Sequence, residues 1–382
     1  MNTIRCCAVA GCALITGISA LALLVNAGPL NPPAGPVSPT AKTLAEIEPR
    51  IVISLANTPG DADSLFKITQ PGSYYLTGNI TGVGGKIGIE IANHGVTLDL
   101  NGFELAGIPG SLDGVRASID SLRNIVVING NVRDWDAAGI YLGTAASGRL
   151  ERVNAWRNGT TGLSAGSGMV ISHCSAHANA GSGISAGFGC SITDCSAYSN
   201  ASNGISAGSA NTVTNCAAYF SGANGFTTGS VCTVTNCAAY NSGTRGFLLS
   251  IGSTISACSA GNSGSDGIRC STGCFIINNT CYASGIDDGD GAGVRATGGD
   301  NRIEGNNCTG ADRGIDIDQV GNVIVRNTCA GNTVNYVIAV DNIYGAIIDR
   351  RIPTTVVTTP SVNGSAATGT MGSTDPHANF SY

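Results

Sequence analysis

Between residues 139 and 330 short apolar segments alternate with polar turns at a fixed interval. Gly162, Gly183, Gly204, Gly225, Gly246 and Gly267 recur every 21 residues, each followed by Ile, Leu or Phe. Cys174, Cys195, Cys216, Cys237 and Cys258 recur at the same interval, always 12 residues after the glycine. A unit such as NGISAGSANTVTNCAAYFSG, residues 203–222, holds three short β-segments between Gly, Ser and Asn turns, and no stretch of it is long enough for a crossover helix. A helix-free coil of this length must return to its start as a β-coil, which excludes leucine-rich and helical repeats. Side-chain alternation sends Ile205, Ala207, Val213 and Ala218 inward and leaves Ser206, Thr212, Thr214, Ala217 and Tyr219 outward. Asn179, Asn200 and Asn241 stand at turns where Asn suits left-handed backbone, and stacked Asn side chains are expected to bond between coils.

Weaker copies begin at Gly88, Gly114 and Gly139, and further copies at Gly293 and Gly314 follow a five-residue insertion. The expected fold is all-β, a single-stranded right-handed parallel β-helix of about ten coils, stacking to roughly 50 Å at ~4.8 Å per layer. Residues 41–351 form this solenoid, with 41–80 expected to cap one end, and the tail 352–382 is expected to fold back along the body or cap the other.

Composition adds the setting. Arg5, an apolar run from Ala13 to Val25 and the small residues at Val25-Asn26-Ala27 read as a cleavable signal peptide over 1–27. That run is shorter than the ~20 residues of a membrane span, so the mature chain is not expected to be an integral membrane protein. Residues 28–40 are Pro-rich and read as a linker. The formal charge of −6 becomes about −7 once Arg5 leaves, with no basic stretch, so nucleic acid is a poor partner. Export to the cell envelope, periplasm or exterior follows.

Cleavage removes Cys6, Cys7 and Cys12 and leaves twelve of the fifteen cysteines. Export favours disulfides, but Cys stacked in one column have parallel Cβ vectors that strain a bridge, and a ladder of buried thiols is expected. Asn279, Asn306 and Asn327 take over that column while Cys281, Cys308 and Cys329 move two residues along, an interchange that looks like packing. Cys270 and Cys274 have the wrong spacing for zinc; a local disulfide is their other reading. A second column, 15 residues after the glycine, reads His177, Tyr198, Tyr219 and Tyr240, is interrupted at Gly261 and resumes at Tyr282, with Trp156 matching upstream. Pointing outward, these rings either stack on one another or form a platform for sugar rings or a partner surface.

GI-S-AG followed by I-T-x-C, together with the INNTC coil at Asn279, resembles the NosD-like and pectate-lyase-like right-handed β-helix repeats over residues 60–345. ITQPGSYYLTGNITG (68–82), GVTLDLNGFELAG (95–107) and the tail DPHANFSY resemble an exported subgroup of that superfamily. The resemblance implies the fold and, by analogy, a polysaccharide or cell-surface partner. Its catalytic patterns do not transfer. Asp287-Asp288 lacks the Gly-His-Gly and Arg-Ile-Lys elements of polygalacturonases, and Asp375-Pro376-His377 lacks the final Asp of the alginate-epimerase motif.

One region has the residue types for chemistry. The insertion brings Asp287, Asp288 and Asp290 ahead of a coil with Arg295, and the outward column two residues after the glycine reads Arg269, Arg295, Asp316. Hard oxygen ligands suit Ca2+, and a lyase needs cation-neutralised uronate and a base. A solvated acidic loop with surface ion pairs is the competing reading. The expectation is a secreted or envelope-associated, non-catalytic β-helix that binds glycans or a surface through Trp156, Tyr198, Tyr219, Tyr240 and Tyr282. A polysaccharide lyase or hydrolase acting near Arg269, Arg295 and Asp316 is the alternative, and a structural spacer the third.

Overall fold

The 21-residue period becomes three stacked strand faces in the computed structural model, which describes residues 48–285, 289–349 and 375–382. Ile184–Ala186, Ile205–Ala207 and Phe226–Thr228 succeed one another on the first face. Ser191–Thr193, Thr212–Thr214 and Thr233–Thr235 do so on the second, and Ser196–Tyr198, Ala217–Tyr219 and Ala238–Tyr240 on the third. These pairings are parallel and in register, which makes an all-β solenoid of about 14 turns, more than the ten legible as repeats. The extra turns lie at the ends, where strands such as Ser64–Ile68 and Val334–Ile338 join the first face without the repeat signature. Arg50–Tyr382 packs as one compact unit. No helix of the described residues is long and apolar enough to cross a membrane.

The core follows the alternation. Ile205, Ala207, Val213 and Ala218 are buried, whereas Ser206, Thr214, Ala217 and Tyr219 are half-buried and Thr212 is exposed. The glycine column opens the rungs from Gly88 to Gly314 because the next rung lies too close for a side chain there, whereas the end rungs carry Leu65 and Asn335 in its place. A Cβ on Gly204 would stand 2.7 Å from both the Gly225 carbonyl and the Ala218 Cβ.

Two corners, and the Asn158–Asn179–Asn200 stretch of the third, carry a polar ladder in which a buried side chain accepts the backbone N–H of the residue one rung earlier. Between the second and third faces, Cys216 N–H donates to Cys237 Sγ at 3.4 Å and Cys237 N–H to Cys258 Sγ at 3.3 Å. Asn then takes over: Cys258 N–H donates to Asn279 Oδ1 at 3.0 Å, and Asn279 N–H to Asn306 Oδ1 at 3.0 Å. Cys and Asn interchange because each accepts this N–H and donates to a carbonyl, as Cys258 does to Ser256 O at 3.3 Å and Asn306 to Ile276 O at 2.8 Å. The corner between first and second faces mixes Cys190, Asn211, Cys232 and Ser253 in the same way. The twelve cysteines from Cys174 to Cys329 are free and buried, including Cys270 and Cys274.

The Asn readings need one correction. Asn179 and Asn200 are not left-handed; they form a buried ladder, with Asn179 N–H donating to Asn200 Oδ1 at 3.1 Å. The left-handed residue is the one before, Ala178 at φ 54° and Ser199 at φ 51°, and Asn241 itself has φ 52°. The sharp corner is a backbone requirement that even Ala and Phe220 meet, so the local side chain does not mark it.

Strands of the stack also form its two ends. Ser64–Ile68, Gly72–Tyr75 and Ile80–Thr81 pair with the next rung, so residues 64–81 form an end coil of the stack. Within the tail, Asn379–Ser381 enters the solenoid as a strand between Thr328–Ala330 and Ile347–Asp349. The signal peptide, the Pro-rich linker, residues 41–47, Asp287, Asp288 and 352–374 lie outside the described residues.

Candidate functional site

The third face carries the aromatic column. Trp156 pairs with His177, His177 with Tyr198, Tyr198 with Tyr219 and Tyr219 with Tyr240, and the column continues through Gly261 to Tyr282. Its rings divide into two groups. Trp156 and His177 stack on each other at 5.7 Å and 6° and, with Tyr219, are half-buried. Tyr198, Tyr240 and Tyr282 remain 51%, 45% and 61% exposed.

Phe220, which the repeat did not mark, turns out at the adjoining left-handed corner. It is 46% exposed and meets Tyr198 and Tyr240 edge-on at 5.4 and 6.2 Å. Edge-to-face contacts hold the three rings in place, each covering one face of one ring of the pair. Beside them, Phe220, Asn241, Asn262 and the backbone of Gly243 and Gly264 line an open groove of about 400 Å³. The Asn262 amide donates to Asn241 Oδ1 along it. The site therefore combines apolar ring faces with amide donors and acceptors fixed by β-register.

The charged region lies on the first face, where Arg269, Arg295 and Asp316 occupy successive rungs as the spacing indicates. Its ions face one another. Arg295 reaches Asp290 and Asp318 at 3.0 Å and Asp316 at 3.7 Å. Arg313 reaches Asp290 at 2.5 Å and Asp316 at 2.6 Å. Arg269 and Arg245 approach Asp266 at 3.8 and 3.5 Å.

Asp266 and Asp316 are buried, and burial raises both carboxyls above the usual carboxylate value, against the opposing pull of the arginines. The hydrogen bond from Arg295 lowers that of Asp290. Burial works against the charge of Arg295, yet the Asp318 and Asp290 carboxylates outweigh it and hold the guanidinium strongly protonated. Asp316, in the outward register, is thus covered by its own partners, and the Asp290 carboxylate already serves two arginines. Among the described residues no group of three or more His, Cys, Asp or Glu is placed to hold a metal ion. His173 and His177 stay apart, His173 lying 3.8 Å from Asp194 and His177 against Trp156.

Residues 72–218 match the sequence profile of the right-handed β-helix region. No curated protein matches the chain. Among solved structures, the A-module of mannuronan C-5 epimerase AlgE4 from Azotobacter vinelandii superposes with a TM-score of 0.59 at 18% identity, over 72% of this chain and 91% of that one. The A-module of AlgE6 from the same organism gives a TM-score of 0.52 at 16% identity, over 77% and 86%. At such identities the likeness speaks for fold alone. Strand register, family profile and superposition agree that the chain is a right-handed parallel β-helix.

Proposed function

We propose that the protein is an extracytoplasmic, non-catalytic glycan-binding solenoid that holds polysaccharide along the aromatic edge of its third face. The observation that carries this reading is the row of exposed rings, Tyr198, Phe220 and Tyr240, beside the Asn241–Asn262 groove. Ring faces stack on the apolar faces of sugars, and neighbouring amides exchange hydrogen bonds with hydroxyls. In this reading Trp156, Tyr219 and Tyr282 serve as flanking contacts, since they share the column with the exposed rings.

A second reading, a polysaccharide lyase or hydrolase at Arg269, Arg295 and Asp316, is favoured by the raised buried carboxyls Asp266 and Asp316, since a general acid needs such a shift. Asp287, Asp288 and Asp290 are the calcium ligands this reading would draw on. The test is a panel of acidic and neutral polysaccharides offered to the mature protein with and without calcium, reading both retention and release of reducing or unsaturated ends. Mannuronan, named in two fold neighbours, supplies the first acidic probe. Binding without product supports the proposal. Product formation abolished by Arg295→Ala overturns it, and neither binding nor product leaves a structural spacer.

A further inference from the structure

The Asn ladder between second and third faces does not end where the period would end it. Ile324 pairs with Tyr344, twenty residues on, so the chain's own next rung would put Ile347 opposite Asn327. Isoleucine cannot take the amide's place. Asn379 does: Asn327 donates to its Oδ1 from N at 3.0 Å and Nδ2 at 3.2 Å, and Asn379 Nδ2 donates to Ile324 O and Gly345 O at 3.1 Å. The strand Ile347–Asp349 is displaced one rung outward and pairs with the tail instead.

The slot so formed is matched to the tail along its length. Asn335 Nδ2 donates to Ser381 Oγ at 2.8 Å, and the Tyr336 hydroxyl lies 2.9 Å from Phe380 O. Phe380 and Tyr382 N–H donate to Asn327 O and Cys329 O at 2.8 and 3.1 Å, and Gly331 N–H returns a bond to a Tyr382 backbone oxygen at 3.1 Å. Gly345 makes the passage possible, because a Cβ there would stand 1.9 Å from His377 O. Ala378, Asn379 and Ser381 are buried. The tail runs parallel to both neighbours, so a tight hairpin cannot deliver it; residues 350–374 separate it from the preceding strand, a stretch that spans at most about 90 Å.

We propose that the slot between Thr328–Ala330 and Ile347–Asp349 is a strand-acceptor site for the sequence Ala378-Asn379-Phe380-Ser381-Tyr382, filled by the chain's own tail and able to take the same strand from a second copy. Tethering favours the chain's own strand through its effective concentration. Exchange between copies therefore appears when that strand is weakened.

The probe is a fluorescent peptide of residues 375–382, titrated by anisotropy into the full mature chain, its Asn379→Ala variant and a chain ending at Asp349. The two altered chains bind the peptide saturably and at least tenfold more tightly than the unaltered chain, and the same peptide carrying Asn379→Ala binds them at least tenfold more weakly. A tagged unaltered chain also captures the Asn379→Ala chain. Folded acceptors, by circular dichroism, that bind the peptide no better than the unaltered chain, or bind both peptides equally, overturn the site; peptide binding without capture overturns the exchange. If the shortened chain does not fold, the Asn379→Ala chain decides alone.

Discussion

Replacing Asn306 with Ala tests the ladder that replaces helix and hairpin as the organising contact of this fold. The buried Asn306 side chain makes four hydrogen bonds. Its Oδ1 accepts from Asn279 N and Nδ2 at 3.0 Å, and its Nδ2 donates to Ile276 O at 2.8 Å and Asn327 Oδ1 at 3.0 Å. With a net worth near 1 kcal/mol each and buried partners left unpaired, Asn306→Ala should cost about 3–5 kcal/mol. Asn306→Cys restores an acceptor and a donor, as Cys258 does two rungs earlier in the same column, and should cost about 1–2 kcal/mol. Guanidinium denaturation followed by circular dichroism gives the global effect. Because rungs of a solenoid unfold in segments, amide exchange at Asn279 reports the local one. An Ala variant within about 1 kcal/mol of the parent, or a Cys variant as damaged as Ala, would refute the claim that Cys and Asn interchange as hydrogen-bonding equivalents.

Gly204→Ala should lose about 1–3 kcal/mol by overpacking, read by denaturation against Gly78→Ala, where a Cβ meets nothing within 4 Å; equal effects would contradict the steric origin of the column. A thiol reagent should find none of the twelve cysteines reactive in the native protein, where burial also pushes the Cys190 and Cys232 thiols up, and all twelve after denaturation without reductant. A lower denatured count would mean disulfides. For Asp316, burial raises the folded carboxyl above 3.8, so as pH climbs past that value the unfolded chain releases its proton first. The stability from this group is full below 3.8 and declines as pH rises through the folded value. Denaturation of the parent and Asp316→Asn chains between about pH 4 and 7 should show the difference moving against the parent with rising pH; an unchanged difference would show no such shift.

The period, the glycine and cysteine columns and the inward and outward residues were legible because each rung repeats the same packing problem, and Gly204 or Val213 solves it as its counterparts do. The outer coils were less legible: strands such as Ile87–Ile91 and Val115–Ala117 pair across longer, uneven intervals that leave no fixed spacing to find. The tail strand was hidden for another reason. Asn379 stands 52 residues from Asn327, which it serves, and only the missing amide at Ile347 hints that the ladder is completed from elsewhere. At the aromatic edge the column gave Tyr198, Tyr240 and Tyr282, but Phe220 belongs to a corner where register does not constrain residue type. The charged column was correct in register and silent on burial, since Asp316 alternates outward yet lies beneath Arg295 and Arg313.

The most direct measurement takes the polysaccharide retained best by the mature protein and compares its affinity for the parent, the triple variant Tyr198→Ala, Tyr240→Ala, Tyr282→Ala, and Arg295→Ala. At roughly 1 kcal/mol per ring, the triple variant should bind about 100-fold more weakly while keeping its circular dichroism spectrum, and Arg295→Ala should bind like the parent. Undiminished binding by the triple variant, with loss in Arg295→Ala, would move the site to the charged face and contradict the account.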